Sequence, residues 1–178
     1  MIEFSVDNYS ITVFLGRTPD ILDYYKEHAV FIDDKDLKNE GTEVYIIISK
    51  NFFESETTII GFRTEPLGYA GFKPALHYEN TSQTLFVGAG TIIKTIGLID
   101  SKLIFEKKSG IGFWGWVKHG NFILQQEETA FGVFNLLGEQ LWETYVTPPY
   151  NFEIKEDKIV LKYDDILETR LLLTGEKI

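Results

Sequence analysis

Residues 85–87 read Leu-Phe-Val, residues 122–124 read Phe-Ile-Leu, and residues 159–161 read Ile-Val-Leu, so an apolar triplet recurs every 37 residues. A period of this size is typical of one supersecondary unit that is copied and stacked, because a single unit cannot bury its own apolar face. Short strand-like runs separated by turn residues fill each copy. Residues 84–178 are therefore predicted to form repeated antiparallel β-meanders of about four strands each.

The first 80 residues do not follow the repeat, and the sequence predicts an irregular β part with one helix there. The helix is expected over residues 19–28, because Thr18 is a favourable N-cap, Pro19 suits the first helical position and Asp20 suits the first turn. The predicted fold class is thus mainly β, with one short N-terminal helix. A single domain spanning residues 1–178 is expected from the length.

A strand–turn–strand signature lies inside the second repeat. Residues 135–142 read Asn-Leu-Leu-Gly-Glu-Gln-Leu-Trp, and this run resembles the repeats of WD40-like and quinoprotein-like β-propellers. The resemblance covers residues 84–178 and implies blade-like sheets. The chain has neither the Trp-Asp dipeptide nor the His–Asp tetrad of such repeats, so no family site is carried over. Because about two and a half repeats cannot close a ring, we expect a partial-propeller-like arrangement or an open, curved sheet, whose free edge strand leaves a homodimer open.

The composition excludes several classes of function. There are no cysteines, which excludes disulfides, thiolate metal ligands and a cysteine nucleophile. Asp and Glu number 27 against 17 Lys and Arg, and the net charge of −10 argues against nucleic-acid binding and favours a basic protein partner. No apolar stretch is long enough to span a membrane, and the N-terminus lacks a secretory signal pattern. We therefore expect a cytoplasmic protein without a membrane partner.

No motif in the sequence indicates catalysis or a bound cofactor. The three histidines, His28, His77 and His119, are scattered, and no Gly-x-Ser-x-Gly motif is present. His77 and Glu79 are only a pair, which is too few ligands for a zinc site. We therefore predict no catalytic residue, no metal ligand and no cofactor, with an unrecognised hydrolase as the alternative.

Three acidic segments are the candidate contacts for a basic partner. Residues 33–41 read Asp-Asp-Lys-Asp-Leu-Lys-Asn-Glu-Gly and are predicted to form a polar loop. The doublets Glu127-Glu128 and Asp164-Asp165 are separated by the 37-residue offset, so equivalent turns of two repeats should place them along one acidic rim. Ordinary solvated turns are the alternative interpretation. The predicted contacts are Asp33, Asp34, Asp36, Glu127, Glu128, Asp164 and Asp165.

Two tryptophans are the second candidate for binding. Residues 111–117 read Ile-Gly-Phe-Trp-Gly-Trp-Val, and strand alternation would place Trp114 and Trp116 on one face beside glycines. Two indole rings on one face could stack on a sugar ring or a peptide. They could equally be core side chains that fill the space above the glycines.

The whole profile is similar to that of the immunity proteins paired with bacterial polymorphic toxins, which are small, acidic, cysteine-free and without a catalytic motif. The resemblance implies a non-enzymatic protein that binds and neutralises a cognate toxin. Two alternatives remain open on the sequence. The first is a carbohydrate- or ligand-binding β-module that uses Trp114 and Trp116, and the second is a structural subunit that self-associates through a sheet edge.

Overall fold

The computed structural model describes residues 1–37, 40–50, 56–64 and 74–178. The described chain is mainly β-strand, with one short helix. It divides into two compact units: unit 1 comprises Met1–Gly71 with Leu98–Lys102, and unit 2 comprises Phe72–Gly97 with Leu103–Ile178. The expectation of a single domain stays a prediction.

Unit 1 contains one five-stranded sheet and the helix. Its elements are β1 (Ile2–Val6), β2 (Tyr9–Leu15), α1 (Leu22–Glu27), β3 (Ala29–Asp36), β4 (Thr42–Lys50) and β5 (Thr57–Thr64). The strand order is β1-β2-β4-β5-β3, and only β3 and β5 pair in parallel. The middle of β4, residues 44–48, is buried throughout, as expected of an apolar run covered on both faces. Leu22 of α1 joins a buried cluster that includes Phe14 and Ile59.

The helix is shorter than the sequence predicts. It begins at Leu22 rather than at Pro19, and its N-cap position is Ile21, which provides no side-chain cap. Thr18, the predicted N-cap, donates its hydroxyl to the Glu43 carboxylate at 2.6 Å instead. A tertiary hydrogen bond thus takes the place of the local capping bond that the sequence pattern favoured.

The polar loop predicted over residues 33–41 is wrong in its first part. Residues 33–36 belong to β3, which lies at one edge of the sheet and pairs with β5. Edge strands of soluble proteins commonly carry charged side chains, because these discourage pairing with other chains. The charged residues of this edge strand therefore resemble a loop in the sequence. Positions 38 and 39 of the predicted loop lie outside the described residues.

Unit 2 contains three consecutive antiparallel meanders, which confirms the predicted fold class. The first is β6 (Ala75–Glu79), β7 (Thr84–Ala89), β8 (Ile92–Gly97) and β9 (Lys102–Lys108), of which Lys102 alone belongs to unit 1. The second is β10 (Phe113–His119), β11 (Phe122–Glu127), β12 (Ala130–Asn135) and β13 (Gln140–Tyr145). The third, with three strands, is β14 (Tyr150–Lys155), β15 (Lys158–Tyr163) and β16 (Ile166–Leu171).

The repeat is less regular than a uniform offset of 37 residues. The second strands of the meanders begin at Thr84, Phe122 and Lys158, which are spacings of 38 and then 36 residues. The second meander also contains β-bulges, between Phe113 and Gly115 and between Val133 and Phe134. Because side chains alternate along a strand, a slip of one residue moves a side chain to the opposite face of the sheet.

Two apolar clusters hold the meanders of unit 2 together. One buries Phe86, Ile123 and Phe134, with one contribution from the first meander and two from the second. The other packs Leu124 and Phe131 of the second meander with residues of the third, including Tyr150 and Leu161. Successive meanders therefore bury each other's apolar faces, as the repeat predicted.

Candidate functional site

Tyr150 connects two hairpin turns of unit 2. It is the first residue of β14 and is only 6% exposed. Its hydroxyl donates to the carbonyl oxygen of Glu127 at 3.0 Å, where β11 ends. Its Cα partner in the sheet is Tyr163, where β15 ends. The β11–β12 turn and the β15–β16 turn therefore lie at the same end of unit 2.

The indole ring of Trp114 lies on the ring of Tyr150. The two rings are almost parallel, with centroids 5.3 Å apart and planes 7° apart. Phe113 is the Cα partner of Glu127 and Gly115 is the partner of Gln126, so Trp114 is the extra residue of the β-bulge. Trp114 remains 40% exposed. A buried tyrosine thus holds a partly exposed tryptophan in place.

Three carboxylates belong to the two turns at this end of unit 2. Glu128 follows β11, and its amide donates to the Gly112 carbonyl at 2.8 Å. Asp164, with a left-handed backbone φ of 49°, and the exposed Asp165 form the turn after β15. Within the described ranges, none of the three carboxylates forms an ion pair. We call this surface the Tyr150 end; it consists of Trp114, Glu128, Tyr150, Asp164 and Asp165.

The Tyr150 hydroxyl stays protonated, as its role as a hydrogen-bond donor requires. Burial raises the pKa of its hydroxyl, the hydrogen bond to the Glu127 carbonyl lowers it, and the charges of Glu127 and Glu128 raise it again, with a large net increase. The hydroxyl is therefore a neutral hydrogen-bond donor at physiological pH. The uncompensated negative charge of the Tyr150 end comes from carboxylates alone.

Glu127 does not belong to the predicted acidic rim. It is the last residue of β11 and is only 1% exposed, because its side chain faces the interior of unit 2. Lys107 contacts its carboxylate at 2.6 Å and also bridges to Glu143. The amide of Gln125 donates to it as well. Its charge is thus neutralised internally, so the rim keeps only Glu128, Asp164 and Asp165.

The predicted contacts on residues 33–36 are also corrected. Asp33 and Asp36 are buried, with 7% and 8% exposure, and they are parts of β3 rather than of a loop. Asp34 is half-buried and pairs with Lys26 at 3.1 Å. These carboxylates belong to unit 1, whereas the Tyr150 end belongs to unit 2.

The predicted shared face of Trp114 and Trp116 is wrong. The bulge at Trp114 reverses the alternation, so Trp116 contacts Phe113 with ring centroids 5.0 Å apart. Trp116 also packs edge-on against Phe86 and Phe134, at 5.4 and 5.6 Å. Trp116 is therefore part of an apolar cluster, and Trp114 alone presents an indole ring at the Tyr150 end.

Sequence reasoning missed Tyr150. The residue lies in a different repeat from Trp114, and its contacts to Trp114 and Glu127 depend on how two sheets pack. A local signal was present, because Tyr150 begins a strand directly after Pro148 and Pro149. That signal could indicate a fixed strand start, but it could not indicate the ring's partners.

The described residues include no group of three or more His, Asp or Glu side chains able to hold a metal ion. His77 lies 3.9 Å from the Glu79 carboxylate, which accepts a closer contact of 2.6 Å from Lys118. Burial lowers the pKa of His77.

In the part of the chain that the structure covers, no helix has the length and hydropathy to cross a membrane.

Comparison with known proteins gives little guidance. No protein family matches the sequence, and no curated protein matches it. Similar solved structures include BamB from Moraxella catarrhalis (10% identity, TM-score 0.38, 84% of this chain and 62% of that one). Another is Kluyveromyces lactis Hsv2, with 9% identity and a TM-score of 0.35 over 60% of this chain and 36% of that one. A third is the AfRom2 CNH domain, with 12% identity and a TM-score of 0.37 over 82% of this chain and 48% of that one. The chain thus spans less than two thirds of each, and likenesses this weak carry no argument about function.

Proposed function

We propose that this protein is a non-enzymatic binding protein whose Tyr150 end docks a basic protein partner. The observation that carries the proposal is that Glu128, Asp164 and Asp165 lie in turns at the same end of unit 2 as Tyr150, on which the exposed ring of Trp114 stacks. Carboxylates without an ion-pair partner create a negative potential, which speeds encounter with a basic surface. A partly exposed tryptophan supplies the apolar contact that such a surface needs for affinity.

The arrangement has the composition of a small docking surface. Protein interfaces combine a centre rich in aromatic side chains with a polar rim. Trp114 corresponds to the centre, and its ring is preorganised because it already stacks on the buried Tyr150. Ile111 and Ile166, which are 51% and 49% exposed, add apolar area next to Gly112 and Asp165 in the sequence.

A protein partner is favoured over a carbohydrate by one observation. Sugar binding through stacked rings was predicted from two tryptophans on one face, but Trp116 packs against Phe86, Phe113 and Phe134. Only one indole remains for a ligand. The remaining features of the Tyr150 end are negative charges, which suit a cationic protein better than a neutral glycan.

The narrower form of the proposal is an immunity protein that neutralises a cognate toxin in the cytoplasm. It is supported by the net charge of −10 and the absence of cysteine. We expect a toxic partner to stop growth when it is produced alone and to permit growth when this protein is produced with it. Growth inhibition that this protein does not relieve would contradict the narrower form only.

The test of the broader proposal uses the partner recovered from the native host and then purified. Association kinetics are measured at two ionic strengths for the parent and for the variant Glu128→Gln, Asp164→Asn, Asp165→Asn. We expect the variant to associate more slowly and with a weaker salt dependence, because rim charges act chiefly on the association rate. The matched control is Glu156→Gln with Asp157→Asn, in the β14–β15 turn at the opposite end of the same sheet. Equal effects of both variants would contradict the proposal.

A further inference from the structure

A cavity of about 270 Å³ opens on one face of the sheet in unit 1. Its floor comes from strand residues that are Cα partners: Tyr9 is opposite Lys50, and Ile48 is opposite Thr58. The turn 98–101, which belongs to unit 1, covers this floor. The Thr58 hydroxyl donates to the Ser101 hydroxyl at 3.3 Å and ties the turn to the sheet.

Opposite charges meet on one side of this cavity. The Lys50 ammonium lies 3.1 Å from the Glu56 carboxylate, and both side chains are only partly exposed. Tyr9, the Cα partner of Lys50, also lines the cavity. Burial chiefly raises the pKa of its hydroxyl, while the charge of Lys50 lowers it and those of Glu56 and Asp7 raise it. A ligand here would meet the Lys50 ammonium and the Glu56 carboxylate side by side, and Asp100 of the 98–101 turn also lines the cavity.

Aliphatic side chains form another part of the lining. Val30 and Ile99 are 57% and 66% exposed although both line the cavity, whereas Ile48 and Leu98 beside them are buried. Covering exposed aliphatic surface is favourable in proportion to the apolar area removed from water. The cavity therefore offers an apolar contact together with the paired charges.

We propose that this cavity binds a free aliphatic α-amino acid. The α-carboxylate would bind the Lys50 ammonium, the α-ammonium would bind the Glu56 carboxylate, and the side chain would cover Val30 and Ile99. Charge-assisted hydrogen bonds of this kind are the strongest available to small polar ligands. The volume lies just below the range of drug-sized pockets, which suits so small a molecule. This proposal does not rest on the one made for the Tyr150 end.

The test is a titration of the ¹⁵N-labelled full chain, followed by NMR. The probes are leucine, isovalerate (which lacks the ammonium) and isoamylamine (which lacks the carboxylate). We expect leucine to shift the amide signals of the cavity lining in a saturable way. Each analogue should bind roughly tenfold more weakly or worse, the loss for one charged hydrogen-bonding partner. No saturable shift with leucine, or equal binding of the analogues, would overturn the proposal.

Variants of the paired charges complete the test. Lys50→Met and Glu56→Gln should each weaken leucine binding roughly tenfold or more. Both side chains are partly exposed, so we expect the fold to persist, and the NMR spectrum of each variant checks this directly. The matched control is Lys155→Met, which removes a lysine that pairs with Glu153 in unit 2. Leucine binding that is unchanged in both cavity variants would contradict the site.

Discussion

The ring of Trp114 stacks on the ring of Tyr150 with only 7° between their planes, although one residue is 40% exposed and the other 6%. Tyr150 is in turn fixed by its hydrogen bond to the Glu127 carbonyl. An exposed side chain is thus oriented by a buried one, and it loses little conformational entropy when a partner covers it. This relationship preorganises the Trp114 ring for contact with a partner.

The hydrogen bond of Tyr150 can be tested without disturbing its ring. Tyr150→Phe keeps the stacking on Trp114 but leaves the Glu127 carbonyl without this donor, so we expect unfolding free energy to fall by about 1–2 kcal/mol. Urea denaturation followed by tryptophan fluorescence measures the change. The control is Tyr145→Phe, because Tyr145 is 67% exposed. Equal stability of the two variants would show that the hydroxyl contributes nothing.

Trp142 and Trp114 should differ sharply in their contribution to stability. The Trp142 indole donates to the Leu172 carbonyl at 2.7 Å and packs against a buried cluster, although the residue is only half-buried. Trp142→Ala should therefore cost about 3 kcal/mol, the lower end for deletion of a core aromatic. Trp114→Ala should cost about 1 kcal/mol, the size of one aromatic pair. Calorimetric unfolding of both variants tests the assignment, and a reversed order would refute it.

Gly175 has no room for a side chain. Its φ is +70°, and an added Cβ would lie 2.5 Å from Cγ of Trp142. Gly175→Ala should destabilise the protein by about 2–4 kcal/mol, because overpacking adds to the backbone strain. Gly120 has a φ of +54° but open space around it, so a substitution there separates backbone strain from overpacking. Gly120→Ala should cost about 1 kcal/mol from strain alone, and denaturation curves of both variants give the difference.

Because of Glu79, the stability of the protein should change with pH in the acid range. Burial raises its pKa, but hydrogen bonds from Lys118 and Thr81 outweigh this and hold the pKa below its ordinary value of 4.5. A carboxylate whose pKa is lowered by folding stabilises the native state at pH values above 4.5. This stabilisation is lost as the pH falls through the lowered pKa of the folded state. Glu79→Gln should therefore be less stable than the parent at pH 7 and should lose less stability on acidification. Thermal melts across the acid range measure both effects, with the exposed Glu156→Gln as control.

The sequence allowed the repeated meanders to be predicted because their pattern is local. Apolar runs and turn residues recur within each copy, and strands followed them even where the spacing shifted from 37 to 38 and 36 residues. The strand β3 was not predicted, since charges tolerated at a sheet edge look like a loop in the sequence. The helix start failed because Thr18 bonds to Glu43, which is distant in sequence.

The candidate site was predicted only in part, for a similar reason. Glu128, Asp164 and Asp165 lie in equivalent hairpin turns, which the repeat located. The bulge at Trp114 could not be read from residue types, and it separates Trp114 from Trp116. The buried Glu127 is paired with Lys107, which comes from the preceding repeat. Local patterns therefore gave the turns, whereas packing between sheets decided which side chains remain on the surface.

The central claim is that the Tyr150 end is where a basic partner docks, and one measurement tests it directly. The ¹⁵N-labelled protein is titrated with a ten-residue peptide of alternating arginine and leucine at low and physiological salt. We predict saturable shifts of the Trp114 indole and of the Glu128, Asp164 and Asp165 amides, weakened by salt but not abolished, because apolar contact with the indole is not screened. Shifts spread evenly over exposed acidic residues, or concentrated at Glu156 and Asp157, would contradict the claim.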